Sequence, residues 1–427
     1  MTIPEIHKIY LKCNVVSIDT RKIIANSLFV AIKGERYDAN EFTKDALDKG
    51  ASYVIIDNKD YYIDERTILV ENSLVALQEL SKFHRQYLNI PIIALTGSNG
   101  KTTTKELINV VLSKKFNVKA TIGNLNNHIG VPLTLLSFDK DTEIGVLEMG
   151  ANHQKEIEFL CDIAKPDFGY ITNFGKAHLE GFGGVDGVIK GKSEMYSYLR
   201  LNNKKAFINL DDTIQVEKSI EIEKLTFSTI DKKASIFIKS IQANPFVSIS
   251  FNQVVIKSHL IGLYNANNIN AAAVIGKYFR VSDTEIKEAI ENYIPENNRS
   301  QLISKGSNEI ILDAYNANPS SMKVALDNFF QLKHENKIVV IGDMFELGDE
   351  SMFEHDNIVK MLISQNYIRV FFVGEYFFRN KFVKSNLNFY KNFDDFSNDF
   401  KRTKFEDSII LIKGSRGMAL ERTLGLL

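Results

Sequence analysis

The chain has 427 residues, a formal net charge of −1, 44% hydrophobic and 25% charged residues, which reads as a soluble globular protein of two to four domains. That charge balance excludes a general field for nucleic acid or an anionic membrane, so any polyanionic substrate must meet a local site. No apolar run approaches the ~20 residues of a membrane helix, and Cys13 and Cys161 lack metal or redox spacing; neither secretion nor membrane insertion is expected, and the cytoplasm is.

Residues 1–88 read as a small α/β unit. Ser27 to Ile32 and Tyr53 to Ile56 are strand-like, Glu41 to Gly50 helical with a glycine stop, and Ser73 to Tyr87 an amphipathic helix. Two polar clusters flank the first strand: Ser17, Asp19, Thr20 and Arg21 before it, Lys33 to Asp38 after it. They are either solvated loop ends or a site for a nucleotide-like or sugar phosphate.

Residues 89–297 form a central unit that opens on Ile92 to Lys105, IIALTGSNGKTTTK. An apolar strand ends in Gly97, Ser98, Asn99, Gly100, Lys101, Thr102 and Thr103, and a helical pattern begins at once. This is a phosphate loop: glycines let backbone N–H groups close on phosphate oxygens, Lys101 reaches the terminal phosphates, and the Thr102 hydroxyl suits Mg2+. The usual G-x-x-x-x-G-K-[ST] spacing needs glycine where Leu95 stands, so the loop is the tighter G-x-x-G-K-T form. Next, the amides of Asn124, Asn126 and Asn127 in GNLNN either cap turns or face a ligand. EIGVLEM follows as a buried strand with Glu148 at its carboxyl end, where a carboxylate beside a phosphate loop holds Mg2+.

The strand Phe168 to Thr172 leads into an aperiodic glycine-rich stretch with His178, which is either structural or within reach of the same metal region. Val185 to Leu199 is helical; from pattern alone its Lys190 and Lys192 are surface groups. Residues 225–260 alternate and suggest antiparallel strands at a sheet edge. GLYNANNINAAA then opens a helix in which Asn265 caps, or Asn265 or Asn268 reads a base edge.

Residues 298–427 return to parallel α/β alternation, with strands at Ile310 to Leu312, Ile338 to Ile341, Val370 to Val373 and Ile409 to Ile412. Their polar ends, Asp313, Tyr315, Asn316 and Asn318, then Asp343 and Glu346, then Gly374, then Lys413 to Arg416, are expected to line one crevice, with Arg299 where a hinge would meet it. The fold class is thus α/β in three parts: a small N-terminal α/β domain, a central phosphate-loop domain with a mostly parallel sheet, and a C-terminal Rossmann-like domain.

Two functions compete for such a chain: an ATP-driven ligase that activates a carboxylate, or a nucleotide-dependent switch or motor. The near-neutral charge, the absence of repeats and the polar strand ends away from the loop favour the ligase. TGSNGKTT, VLEMG, NFGKAHLEGFG, KSEMY and GLYNANNINAAA together resemble the Mur ligase family of peptidoglycan synthesis, and GNLNNHIGVPLTLL, DAYNANPSSM, GDMFELG and KGSRGMALE extend the resemblance across all three domains.

The resemblance implies an ATP- and Mg2+-dependent amide ligase, monomeric, joining D-alanyl-D-alanine to UDP-N-acetylmuramoyl-tripeptide through an acyl phosphate. It places the UDP end at Ser17, Asp19, Thr20, Arg21 and Lys33, and other substrate contacts at Asn126, Asn127, Tyr315, Asn316 and Asn318. ATP falls to Gly97 through Thr103 with Asn268, Arg299 and Asp313. Thr102, Glu148 and His178 match metal positions, and Lys192, as a carbamate, would hold a second Mg2+; Lys101, Glu148, His178 and Lys192 are thereby the catalytic set. Tyr264 stands where many relatives have histidine.

Overall fold

The computed structural model describes residues 1–243, 245–296 and 298–427, which form three sheets in chain order. The first has four parallel strands in sequential order, Val15–Ser17, Ser27–Val30, Ala51–Ile56 and Thr67–Leu69. Its outer strands and the helix Ile3–Tyr10 are too short to announce themselves by periodicity. The expected helix from Glu41 is a 3-10 turn, Ala39–Phe42, continued by Thr43–Asp48. Ser73–Leu88 is a helix as expected: the Asn72 side chain accepts from Val75 N–H at 2.9 Å, and Asn89 ends it in the left-handed region.

The central sheet has nine strands. In spatial order they are Val254–Ile261, Phe246–Phe251, Ile236–Ala243, Glu223–Ser228, Lys205–Asn209, Phe168–Ile171, Ile92–Thr96, Ile144–Glu148 and Val118–Ala120. Runs such as IIALT and IGVLE are buried on both faces, as a parallel sheet under helices requires. The expected antiparallel edge is there: Phe246–Phe251 runs antiparallel to both Ile236–Ala243 and Val254–Ile261, whereas Glu223–Ser228 and Ile236–Ala243 run parallel to each other. Ile92–Thr96 lies between strands that come later in the chain, so a crevice opens at its carboxyl end. On one face, helix Asn265–Tyr278 packs against helix Lys101–Leu112. Small residues make the approach possible; a Cβ on Gly276 would lie 2.4 Å from Val111 Cγ1.

The C-terminal sheet runs Gln301–Lys305, Asn308–Asp313, Ile409–Lys413, Lys337–Gly342, Ile368–Val373 and Leu387–Tyr390, all parallel except the first. The first and last of these strands escaped the sequence reading because they are edge strands with only partial burial. Among the described residues no helix is long and apolar enough to cross a membrane. Cys161 is buried and Cys13 half-buried, and both are free thiols.

Candidate active site

A cavity of about 800 Å3 opens between the carboxyl ends of the central strands and those of the C-terminal sheet, lined by Ser98 through Thr103 on one side and by Arg299, Asp313, Tyr315, Asn316, Asn318 and Lys413 on the other. The loop's shape demands its glycines. Gly97 has φ +141° and a Cβ there would lie 2.0 Å from Thr172 Oγ1; Gly100 has φ +78° and its Cβ would lie 2.6 Å from Asn268 Oδ1. Leu95, where the longer loop would need glycine, is a fully buried strand residue, so the turn starts two residues later. Helix Lys101–Leu112 then begins, and its first-turn N–H groups face an anion site by default.

Lys101 Nζ donates to Gly97 O at 2.6 Å and to Ser98 O at 3.3 Å, which keeps the cation at the loop mouth. Burial lowers its pKa; Glu148 opposes that shift and Arg299 adds to it. Pairing of Leu95 with Glu148 across adjacent strands brings the carboxylate to the loop. Glu148 is 2% exposed; its Oε2 accepts from the Thr102 hydroxyl at 2.8 Å and its Oε1 from Asn126 Nδ2 at 2.8 Å. Asn127 is committed to the fold, its Oδ1 accepting from Ile129 and Gly130 N–H at the start of helix Gly130–Leu135.

Lys192 corrects the pattern-based reading. It is 1% exposed in helix Val185–Leu201, donates to Ala151 O at 3.1 Å, and stands 4.9 Å from the Phe182 ring centroid; Lys190 is exposed. Desolvation first, and the charge of Lys101 second, pull its pKa well below the ordinary lysine value, which penalises the charged form. It does not itself line the cavity, but its acceptor Ala151 does. His178 lines the cavity with φ +53°, and its Nδ1 faces the Glu346 carboxylate of the C-terminal unit; this pairing holds Glu346 below the usual carboxylate range. The approach joins the two units as a charge contact without hydrogen-bond geometry at Nδ1 among the described residues.

On the facing wall, the parallel pairing of Asp313 with Lys413 puts their charges 2.6 Å apart. Asp313 also accepts from Ser300 N–H at 3.2 Å, and the Ser300 hydroxyl shares a hydrogen bond of 2.7 Å with Tyr264 OH. Arg299 lies over the Tyr315 ring, 3.7 Å from its centroid, and its Nε is buried without a hydrogen-bond partner among the described residues. A buried guanidinium N–H of that kind is suited to an anionic or carbonyl ligand. Asn316 Oδ1 accepts from Ala317 N–H, and both ends of the Asn318 amide are engaged by the protein, with Ser321 N–H and Asn99 Oδ1. Asn268 accepts from Thr104 and donates to Asn265, whose own amide donates back to Ile261 O rather than capping the helix.

Not every expected residue is gathered here. Ser17, Asp19, Thr20, Arg21 and Lys33 stand together at the carboxyl ends of the first two strands of the N-terminal sheet, outside this cavity. Arg21 is paired bidentately with Asp19 at 2.9 and 2.8 Å. The single crevice expected for the C-terminal strand ends is also narrower than its sequence suggests. Asp343 turns away, its carboxylate accepting from Tyr376 and Phe377 N–H at the start of helix Glu375–Arg379, which follows the neighbouring strand. Among the described residues, no group of three or more His, Cys, Asp and Glu side chains could hold a metal ion. Thr102 and Glu148 offer two oxygens, which fits Mg2+ that takes its other ligands from phosphate and water.

Residues 12–85 match the family model for the Mur ligase catalytic domain, 95–276 the Mur ligase middle domain and 298–416 the Mur ligase glutamate ligase domain. Over 95% of its length the chain is 33% identical to the UDP-N-acetylmuramoyl-tripeptide–D-alanyl-D-alanine ligase of Bacillus subtilis, covering 91% of that protein. This chain belongs to the Mur ligase family. The Escherichia coli ligase of the same name is 32% identical over 96% of the chain and 92% of its own. Among solved structures, MurF from Acinetobacter baumannii superposes with a TM-score of 0.86 at 28% identity, covering 99% of this chain and 98% of that one. MurF ligase from Thermotoga maritima, solved with ADP, gives 0.84 at 26% identity over 98% and 97%. As a Mur ligase the chain has two features that no motif announced, the Lys176–Glu354 pair at 2.6 Å and the hydrogen bond from Lys176 N–H to Ser320 Oγ at 2.7 Å. Lys176 and Ser320 lie inside the NFGKAHLEGFG and DAYNANPSSM stretches, but the contacts themselves were not legible because they join segments far apart in the chain.

Proposed function

We propose that this Mur ligase uses ATP to join D-alanyl-D-alanine to UDP-N-acetylmuramoyl-tripeptide in the cytoplasm, acting as a monomer. The observation that carries the reading is the shared cavity, with a phosphate loop on one wall and Arg299, Asp313 and Lys413 on the other. Its parts follow the boundaries 1–88, 89–297 and 298–427, with the UDP end at Ser17, Asp19, Thr20, Arg21 and Lys33. The peptide end then reaches toward Asn126 and Asn127, and the dipeptide toward Tyr315 and Asn316. Asn268, Arg299 and Asp313 surround the nucleotide, Asp313 at the ribose.

In the first step the tripeptide's terminal carboxylate oxygen attacks the γ-phosphorus in line, the bond to the β–γ bridging oxygen breaks, and ADP leaves an acyl phosphate behind. Lys101 and the loop's N–H groups neutralise charge that grows on the phosphoryl oxygens, in a site where water no longer screens them. In the second step the amine of D-alanyl-D-alanine attacks the acyl carbon, the amide forms, and phosphate leaves with the C–O electron pair. The amine must shed a proton, and His178, which lines the cavity, is our candidate to take it. When bound, Mg2+ would be held by Thr102 and Glu148 and would add positive charge beside the phosphates. Lys192 suits carbamylation, because a buried neutral amine is the form that attacks CO2, and the product is an anion able to hold a second Mg2+.

The test is phosphate release by the purified protein with UDP-N-acetylmuramoyl-tripeptide and ATP, with and without D-alanyl-D-alanine. Release that depends on both substrates is expected. ATP hydrolysis indifferent to them would favour the switch reading instead.

A further inference from the structure

Asn99 is the central residue of the phosphate loop, and its backbone is fully used within the central unit. Its N–H donates to Asn173 Oδ1 at 3.1 Å, and its carbonyl accepts from Thr172 Oγ1 at 2.6 Å and Asn173 Nδ2 at 3.0 Å. Only the side chain points outward, and it meets the other unit: Asn318 Nδ2 donates to Asn99 Oδ1 at 2.7 Å, across 219 positions of sequence. The other end of the Asn318 amide caps the helix Pro319–Gln331, its Oδ1 accepting from Ser321 N–H at 2.9 Å. One amide therefore ties the start of a C-terminal helix to the phosphate loop.

Three further contacts make this a built seam. Ser98 Oγ donates to Gly175 O at 2.6 Å, which fixes the loop to the segment after strand Phe168–Ile171. That segment is in turn clamped from the C-terminal side. Lys176 N–H donates to Ser320 Oγ, and Lys176 Nζ pairs with Glu354, which is 4% exposed. The approach is close enough to exclude a side chain: a Cβ on Gly175 would lie 2.9 Å from Asn99 Nδ2 and 3.0 Å from Ser320 Oγ.

We infer that Asn318 is a positioning residue for phosphoryl transfer, acting through Asn99 to hold the phosphate loop in register only while the C-terminal unit is docked. This rests on the proposed ligase reading and changes the expected role of Asn318 from a substrate contact to an internal strut. Transition-state charge is stabilised only by donors already in place, so a loop that relaxes by a fraction of an ångström loses rate before it loses nucleotide. ATP would then be turned over poorly unless the two units are closed on it.

The experiment is a double-mutant cycle on kcat, with Asn318→Ser, Asn99→Ala and the pair. Serine is a good helix cap, so Asn318→Ser keeps the helix start and removes only the reach to Asn99. Each single variant is expected to lose about tenfold in kcat, Asn318→Ser with an unchanged melting temperature and ADP affinity, and the pair no more than either alone. Should Asn318→Ser melt lower, Asn318→Asp replaces it in the cycle, since it keeps the capping oxygen and loses the amide donor. Losses that multiply in the pair, or a kcat equal to wild type in Asn318→Ser, overturn the inference. A wild-type protein without substrate-dependent phosphate release overturns the ligase reading itself, which keeps the two failures distinct.

Discussion

At the scale of single residues, the phosphate loop rests on two glycines with positive φ and on the Lys101 amine held at its mouth by the Gly97 and Ser98 carbonyls. Gly97 and Gly100 could be read directly because their positive φ favours glycine, and Lys101 and Thr102 because an amine and a hydroxyl suit phosphate and Mg2+. Lys192 could not be read from pattern, since a lysine in a helix is usually solvated. Yet it falls on the stripe Val188, Lys192, Met195, Tyr196, Leu199, all buried, and its place among apolar neighbours was a signal available in advance. Two predictions belong here. Lys101→Ala should leave the melting temperature in place and lower kcat by about 10^2-fold or more, the usual loss for a transition-state charge contact. Near-normal turnover would sink the loop's role. Lys192→Ala should lose activity that added small carboxylates such as formate or acetate partly restore, measured as phosphate release; full activity without them would remove the carbamate.

At the scale of elements, strand ends were legible and the turns they make were not. Strand register decides which ends meet: Asp313 lies beside Lys413, and Leu95 beside Glu148, and neither pairing is visible in a linear sequence. The helix that carries Lys192 shows what positions a functional side chain. Gly187 lets it pass Phe182, and a Cβ there would lie 1.9 Å from the Phe182 carbonyl oxygen, a backbone atom that cannot rotate aside. Gly191 faces the same ring, with its Cβ position 2.5 Å from Phe182 Cε1. We therefore expect Gly187→Ala to destabilise the protein by about 1–3 kcal/mol in a urea melt, the range of overpacked cores. Activity should fall further than stability does, because the helix must shift and take Lys192 with it. A variant as stable and active as wild type would show that the helix adapts.

At the scale of the whole molecule, the sequence indicated three units but not what holds the first to the second. That joint is a buried polar network. His84 Nε2 faces Phe138 O at 2.9 Å, and a carbonyl can only accept, so Nε2 carries the proton and Nδ1 is the acceptor. His7 Nε2–H must then donate to His84 Nδ1 at 3.0 Å, while Tyr10 OH donates to Leu136 O at 2.8 Å. His84 has to be neutral for this arrangement, because its Nδ1 must accept; His7 can donate from Nε2 in either charge state, and it is burial that disfavours its charge. Burial lowers the pKa of each; His7, which also faces His84, falls to about 4 from an ordinary 6.5, while the Phe138 carbonyl and Asp139 partly offset the shift of His84.

The sign of the pH effect follows. A histidine whose folded pKa is depressed leaves the unfolded chain as the better proton binder, so its contribution is complete above about pH 6.5 and is lost as pH falls toward 4. Thermal melts of the wild type should therefore hold steady from neutral pH down to about 6.5 and then decline steeply. In His7→Gln the amide can donate to the same Nδ1 without titrating, so the decline should be shallower while the neutral-pH melt stays close to wild type. An unchanged slope in that variant would assign the acid sensitivity to other groups and leave the His7–His84 contact as packing alone.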